Sequence, residues 1–248
     1  MSEIEIRGLT KTFGNLVAVE DLSLQIQRGN IFGFLGPNGS GKSTTVKMLT
    51  GLLKPDRGDA LICGASIIKS PLEVKKKIGV LPEDLALFDS VTIWEHLIIA
   101  GSVYHLRREE TENRAEQLLD YLDLWPTRHT HVDQASTGMR KKCSLAMALI
   151  HNPQVLFLDE PFEGIDPVSS RNIKDLLLLM SGKGVTIFIT SHILEVVERL
   201  VQSFAIIVSG KIVCAQSVEE TVRSGLTLED LFFAHVGGPR FETLEWLG

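Results

Sequence analysis

Cysteine is scarce in this chain. The three present, Cys63, Cys143 and Cys214, are scattered with no metal-ligand spacing. An odd, sparse set opposes a disulfide framework and fits small buried thiols kept reduced in a cytosolic protein. Long apolar runs are missing as well. The best, Leu176 to Met180 and Phe204 to Val208, fall far short of the roughly 20 residues a membrane span needs. They read instead as a helix face and a buried strand. The opening MSEIEIRGLT has no apolar stretch behind a basic start, so no secretory signal is expected there. Positive charge is not in excess either. The 25 Lys and Arg against 31 Asp and Glu leave a formal net charge of −6, which opposes broad electrostatic binding of DNA or RNA. No low-complexity stretch and no internal repeat is found.

What is present fits one compact domain with a subdomain: 248 residues, 44% of them hydrophobic. Residues 2–30 read as two strands around the turn Gly14-Asn15, the second alternating Leu22, Leu24 and Ile26. Ile31 to Leu35 is a short apolar strand. A helix then begins near Lys42 and carries Val46, Met48, Leu49 and Leu52. Asp59 to Cys63 reads as a further strand, closed by Gly64. Residues 89–149 change character. Ile93, Leu97, Ile98 and Val103 predict one helix, and Ala115, Leu118, Leu119 and Leu122 another. Strand and helix alternate again from Gln154, and Phe204 to Val208 with Lys211 to Cys214 predict a hairpin around Ser209-Gly210. Such alternation implies a largely parallel sheet flanked by helices. The expected organisation is therefore an α/β core over 1–88 and 150–215, an inserted helical subdomain over 89–149, and a short helical tail over 216–248. In that tail Thr227 to Phe232 has capping-box character.

The segment Gly36-Pro37-Asn38-Gly39-Ser40-Gly41-Lys42-Ser43 matches G-x-x-x-x-G-K-[ST] at every fixed position, and Thr44 continues it into the helix. Strand before and helix after are the context this motif requires. Glycines at 36, 39 and 41 let the backbone turn its N–H groups inward, and those donors with the helix N-terminus form an anion cradle. Lys42 is placed to reach the β- and γ-phosphates, and the Ser43 hydroxyl is a natural Mg²⁺ ligand. No N-K-x-D-like guanine-reading segment occurs, which favours ATP. Downstream, Val155 to Leu158 is an apolar strand ending in Asp159-Glu160. Ligands sit at the carboxyl ends of parallel strands. Asp159 is then placed to hold Mg²⁺ through water, and Glu160 to act on the attacking water as general base. A solvated acidic turn is the other reading of this pair taken alone.

With these motifs in view, the chain from Ile4 to about Cys214 resembles the ABC ATPase family. The most discriminating stretch is Ala135-Ser136-Thr137-Gly138-Met139-Arg140-Lys141-Lys142, similar to the family signature L-S-G-G-Q at Ser136 and Gly138 and different at Ala135, Thr137 and Met139. Its Ser-x-Gly-Met-Arg form is similar to that of the branch serving ABC-2-type exporters. The resemblance implies a P-loop NTPase (RecA-like) core with an N-terminal antiparallel β-subdomain and an inserted α-helical subdomain. It implies a head-to-tail homodimer or pseudo-homodimer that sandwiches two ATP molecules with Mg²⁺, in which Ser136 and Gly138 meet the γ-phosphate held by the opposite chain. Ser136 also suits a plain helix N-cap. Further positions follow from the resemblance. Phe13 stacks on adenine, or is an ordinary core residue. Glu83 stands where the family usually has the Q-loop Gln and meets the metal or the water, or is a solvated loop carboxylate. Asp166 belongs to a D-loop, or is an N-cap before Pro167. His192 resembles the switch histidine that holds Glu160 and the γ-phosphate in line. The implied activity is ATP hydrolysis that powers a transporter, more an exporter than an importer, from the cytoplasmic face of a membrane. The membrane-spanning permease subunit is then a separate chain, and Phe88, Val91 and Trp94 are either part of an apolar docking groove or ordinary core packing. The competing function is a soluble mechano-ATPase of DNA repair or translation. Such relatives typically carry a long coiled coil or tandem ATPase units, and this chain has neither.

Overall fold

The computed structural model describes residues 2–237. The first elements form a four-stranded antiparallel sheet. Strands β1 (Ser2–Phe13) and β2 (Leu16–Gln27) make a hairpin whose turn uses Gly14 at φ +57, and β4 (Arg57–Ile62) and β5 (Ala65–Ser66) complete the order β2-β1-β4-β5. Between them in the chain, β3 (Ile31–Leu35) leads into α1 (Lys42–Leu49). Next come α2 (Pro71–Lys77) and β6 (Ile78–Leu81), then three helices, α3 (Ile93–Val103), α4 (Arg108–Tyr121) and α5 (Thr137–Leu149), with short 3-10 turns between the last two. The chain returns through β7 (Val155–Asp159), α6 (Pro167–Gly182), β8 (Thr186–Ser191), α7 (Leu194–Glu198) and the hairpin β9 (Ser203–Val208) and β10 (Lys211–Ser217). It ends in α8 (Val218–Arg223) and α9 (Leu228–Val236). The larger sheet has the order β10-β9-β3-β8-β7-β6, parallel throughout except for the β9–β10 pair.

Strand alternation divides the core in two. Side chains of successive strand residues point to opposite faces. On one face Phe32, Phe34, Phe157 and Phe188 meet the antiparallel sheet and α1. The Phe188 ring lies 5.6, 5.3 and 5.5 Å from those of Phe32, Phe34 and Phe157. Each such ring contributes on the order of 2–3 kcal/mol by burial, and tilted pairs add roughly 1 kcal/mol more. On the other face Ile31, Leu35, Leu156, Leu158, Ile187 and Ile189 pack against Leu97, Leu119, Leu145 and Leu177 of the helices. The helices of 93–149 thus share one apolar cluster with the sheet. This double cover is why the central strands read as unbroken apolar runs.

The expected elements are present, with local corrections. Leu52 lies outside α1 and is exposed, because Thr50 ends the helix and Gly51 turns left-handed at φ +70. Val103 is the last residue of α3 and faces outward rather than into the core. Thr227 caps α9 in a capping box with Asp230. The stretch from Gly238-Pro239 onward, part of the expected tail, lies outside the described residues.

Candidate active site

The carboxyl ends of β3, β7 and β8 open into a cleft of about 700 Å³. Its floor is the loop between β3 and α1. A side chain at position 36 would put its Cβ 2.3 Å from the Ile207 carbonyl oxygen and 2.5 Å from Ser40 Oγ. At position 41, where φ is +108, a Cβ would come within 2.4 Å of the Ala18 carbonyl oxygen. Only glycine fits at either place. Gly41 also leaves the N-terminus of α1 without a side-chain cap among the described residues, so its N–H donors remain open. Ser40 Oγ is buried and has no hydrogen-bond partner among the described residues. A cradle of open donors with an orphaned hydroxyl suits an anion with many acceptor oxygens.

Lys42 is the positive charge of this floor, 6% exposed. Its Nζ donates to the carbonyls of Gly36 at 2.8 Å and Pro37 at 3.3 Å and lies 3.7 Å from Glu160 Oε1. Burial lowers its pKa, while Glu160, Asp159 and Glu83 act in the opposite direction. Asp159, the last residue of β7 and 2% exposed, accepts a hydrogen bond from the Thr190 hydroxyl. Glu160 follows, with its backbone N–H donating to Thr190 Oγ1 at 3.1 Å. Its carboxylate lies 3.0 Å from His192 Nδ1. From the loop after β6, Glu83 Oε2 accepts a hydrogen bond from Ser43 at 3.2 Å. Phe13 lines the mouth with Leu16 and Val17, 48% exposed, so the core reading of this ring is excluded.

A family model described as "ABC transporter" matches residues 19–163. The chain belongs to the ABC transporter family. It is 35% identical over 210 residues to the linearmycin resistance ATP-binding protein LnrL of Bacillus subtilis, covering 85% of this chain and 68% of that one. It superposes on a solved ATP-binding subunit of an ABC transporter with a TM-score of 0.87 at 28% identity, across 96% of this chain and all of the other. A dimeric bacterial ABC transporter cassette, MJ0796, matches with a TM-score of 0.80 at 25% identity, over 87% and 98% of the two chains.

In this ABC family member the residues named from sequence fall into two groups. Phe13, Asn38, Gly39, Gly41, Lys42, Ser43, Thr44, Glu83, Glu160 and His192 all line one cleft, with Gly36, Ser40 and Asp159 buried beneath it. Ser136, Gly138 and Asp166 do not line it. The Ser136 hydroxyl caps α5 by accepting the Met139 N–H at 3.2 Å, and Asp166 caps α6 by accepting from Val168 at 3.1 Å and Ser169 at 2.9 Å. The Ser169 and Val168 hydrogen bonds hold the Asp166 carboxyl below its usual pKa. Sequence reasoning missed Leu16, Val17, Ala18, Glu163, Ser209 and Gly210, which complete the lining, and Thr190, which orients both carboxylates' strand end. Leu16 and Val17 left a signal: they open a run of four apolar residues, Leu16 to Val19, that breaks the alternation of β2 beside Phe13.

Proposed function

We propose that this chain is the ATP-hydrolysing subunit of an exporter whose membrane-spanning part is a separate polypeptide. The observation that carries the reading is the Glu160 carboxylate, set between Lys42 and His192 above a loop that only glycine can form. No helix among the described residues is long and apolar enough to cross a membrane, which agrees with a separate permease. LnrL, named for resistance, and the Ser-x-Gly-Met-Arg signature both favour export. The chain then sits peripherally on the cytoplasmic face, with the exposed Phe88 in the loop that meets the permease, Val91 half-buried behind it, and Trp94 packed on Trp125 and the helical core.

The residues divide the work as follows. The amides of 38–44 and Lys42 hold the triphosphate, and Phe13 offers a π-face to adenine. Lys42 exchanges its Gly36 and Pro37 carbonyls for phosphate oxygens. Glu160 takes a proton from the attacking water, and His192 keeps that carboxylate in line. Among the described residues no three His, Cys, Asp or Glu side chains converge to hold a metal alone. That fits Mg²⁺, which is bound by one or two carboxylates together with phosphate oxygens and water. Ser43, Asp159 and Glu83 would hold it, and it would supply charge neutralisation on the transferred phosphoryl group.

Ser136, Gly138 and Asp166 are exposed or half-buried outside the cleft of their own chain, which supports a head-to-tail dimer in which they complete the partner's site. The similar cassette MJ0796 is a dimer in its solved structure, which supports pairing of two chains. Complementation tests it. Lys42→Ala spoils the phosphate loop and Gly138→Asp spoils the signature, where an added Cβ would lie 3.6 Å from the Gly164 oxygen and so is accommodated. Each variant alone is expected to be nearly inactive. Mixed, they regain on the order of a quarter of wild-type activity, because half of the dimers contain one intact composite site. Activity no higher than the mean of the two variants would exclude the shared site. The transporter role is tested by isolating the chain from detergent-solubilised membranes. A stoichiometric membrane-spanning companion is expected, and recovery with ribosomes or DNA instead would overturn that role.

A further inference from the structure

Glu160 has a left-handed backbone, φ +48, which side chains other than glycine rarely adopt. Such a conformation persists only where its surroundings over-determine it. On the N-terminal side the hold is the Glu160 N–H to Thr190 Oγ1 bond. On the other side the turn 160–163 closes weakly on itself, with the Glu163 N–H 3.4 Å from the Glu160 carbonyl oxygen. The stronger clamp comes from α5. Lys141, 7% exposed, donates from Nζ to the carbonyl oxygens of both Glu160 and Glu163 at 2.7 Å. Burial lowers the pKa of this ammonium, and Glu163, Glu160, Asp159 and Glu83 work against that shift. A methionine would fill the same volume with no charge to desolvate, so packing alone does not account for a lysine here.

We infer that Lys141 is a positioning residue for hydrolysis, one that clamps the left-handed turn so that the Glu160 carboxylate faces Lys42 and His192. The inference rests on the reading of Glu160 as general base. It acts on the backbone of that residue and touches no reacting atom. It also ties the turn to α5, the helix that Ser136 caps.

The test is a side-chain series in the purified full-length chain with Mg–ATP. Lys141→Met keeps the stem and removes the donors. Its kcat is expected to fall about 10- to 50-fold, with KM for ATP within about twofold of wild type and the fold retained. Lys141→Gln, which keeps two N–H donors without the charge, is expected to regain at least about a third of kcat. In a Glu160→Gln background, Lys141→Met is expected to lower the residual turnover by less than about twofold, because there is no longer a base to position. A wild-type kcat for Lys141→Met, or the same fold-loss in both backgrounds, would overturn the inference. Should Lys141→Met not fold, Lys141→Ala takes its place in the same two backgrounds, and a wild-type kcat or an equal fold-loss in both would overturn the inference. Glu160→Gln at full wild-type turnover would instead remove the underlying reading, whatever the Lys141 variants did.

Discussion

Glu160→Gln is expected to lower steady-state ATP turnover by at least about 100-fold and to trap the chain as an ATP-bound dimer. Gln has the shape of Glu, and its amide still reaches His192, which lies 3.0 Å from the carboxylate. What it loses is the capacity to accept a proton, and a positioned general base is worth roughly 10²–10⁴ in rate. A 100-fold loss corresponds to about 2.7 kcal/mol of barrier. The effect on binding has the opposite sign. Lys42 is surrounded by Glu160, Asp159 and Glu83, and an incoming triphosphate meets those same carboxylates. Unlike charges are few there and like charges many. Even at an effective dielectric of about 20, two unit charges 4 Å apart interact by roughly 4 kcal/mol. Neutralising the carboxylate nearest Lys42 therefore tightens ATP binding, and about a fivefold gain is a conservative expectation. Turnover and size-exclusion chromatography with Mg–ATP measure both effects. A variant that hydrolysed ATP at the wild-type rate would exclude Glu160 as the base.

How much of this was legible in the sequence follows from how local each feature is. The phosphate loop was readable because its constraints are local. Gly36 and Gly41 sit where a Cβ would strike backbone, and Lys42 and Ser43 follow at fixed spacing. The end of β7 was readable because an apolar run stops at two carboxylates, and a parallel sheet presents that end to ligand. Strand β6 and helix α2 were not read. Ile78-Gly79-Val80-Leu81 is too short for a periodicity argument and contains a glycine. It is a strand because β7 pairs with it and because α5 passes so close that a Cβ at 79 would lie 2.1 Å from the Ala148 carbonyl oxygen. Neither cause lies within the segment. Glu83 was located only through the resemblance. Its contact with Ser43 spans 40 residues of chain. Lys141 was invisible as a buried group, since a lysine in a basic run after a signature reads as solvated until Glu160 and Glu163 are seen beside it. Ser136 and Asp166 each admitted a capping role and a role across a dimer, and the capping bonds are present. A cap and a partner-facing donor use the same helix terminus, so the two roles are compatible.

Lys42→Ala is expected to weaken ATP binding by at least about 100-fold while leaving the fold intact. The ammonium is the positive charge that the cleft sets among Glu160, Asp159 and Glu83. With it present, the site offers phosphate a charge-assisted donor, worth roughly 1.5–3 kcal/mol. Without it, the carboxylates remain and the field at the phosphate position turns repulsive, so the loss exceeds that of one hydrogen bond. The amide cradle survives, because the glycines and not the lysine set its backbone. The helix α1 survives too, since Val46, Met48 and Leu49 anchor it in the core under Phe34 and alanine is a strong helix former. What the substitution removes from the free protein is the pair of hydrogen bonds to Gly36 and Pro37 and the contact with Glu160. Losing one member of a buried pair costs about 3–5 kcal/mol where water cannot enter. Here the cleft is open on one side and admits water to the freed carbonyls, so the cost stays well below that range. Calorimetric titration with ATP and a thermal melt in its absence separate the two effects. Wild-type affinity in a folded Lys42→Ala chain would mean that the triphosphate does not lie on this loop. Weak binding together with a collapsed melt would mean that the lysine holds the loop rather than the ligand.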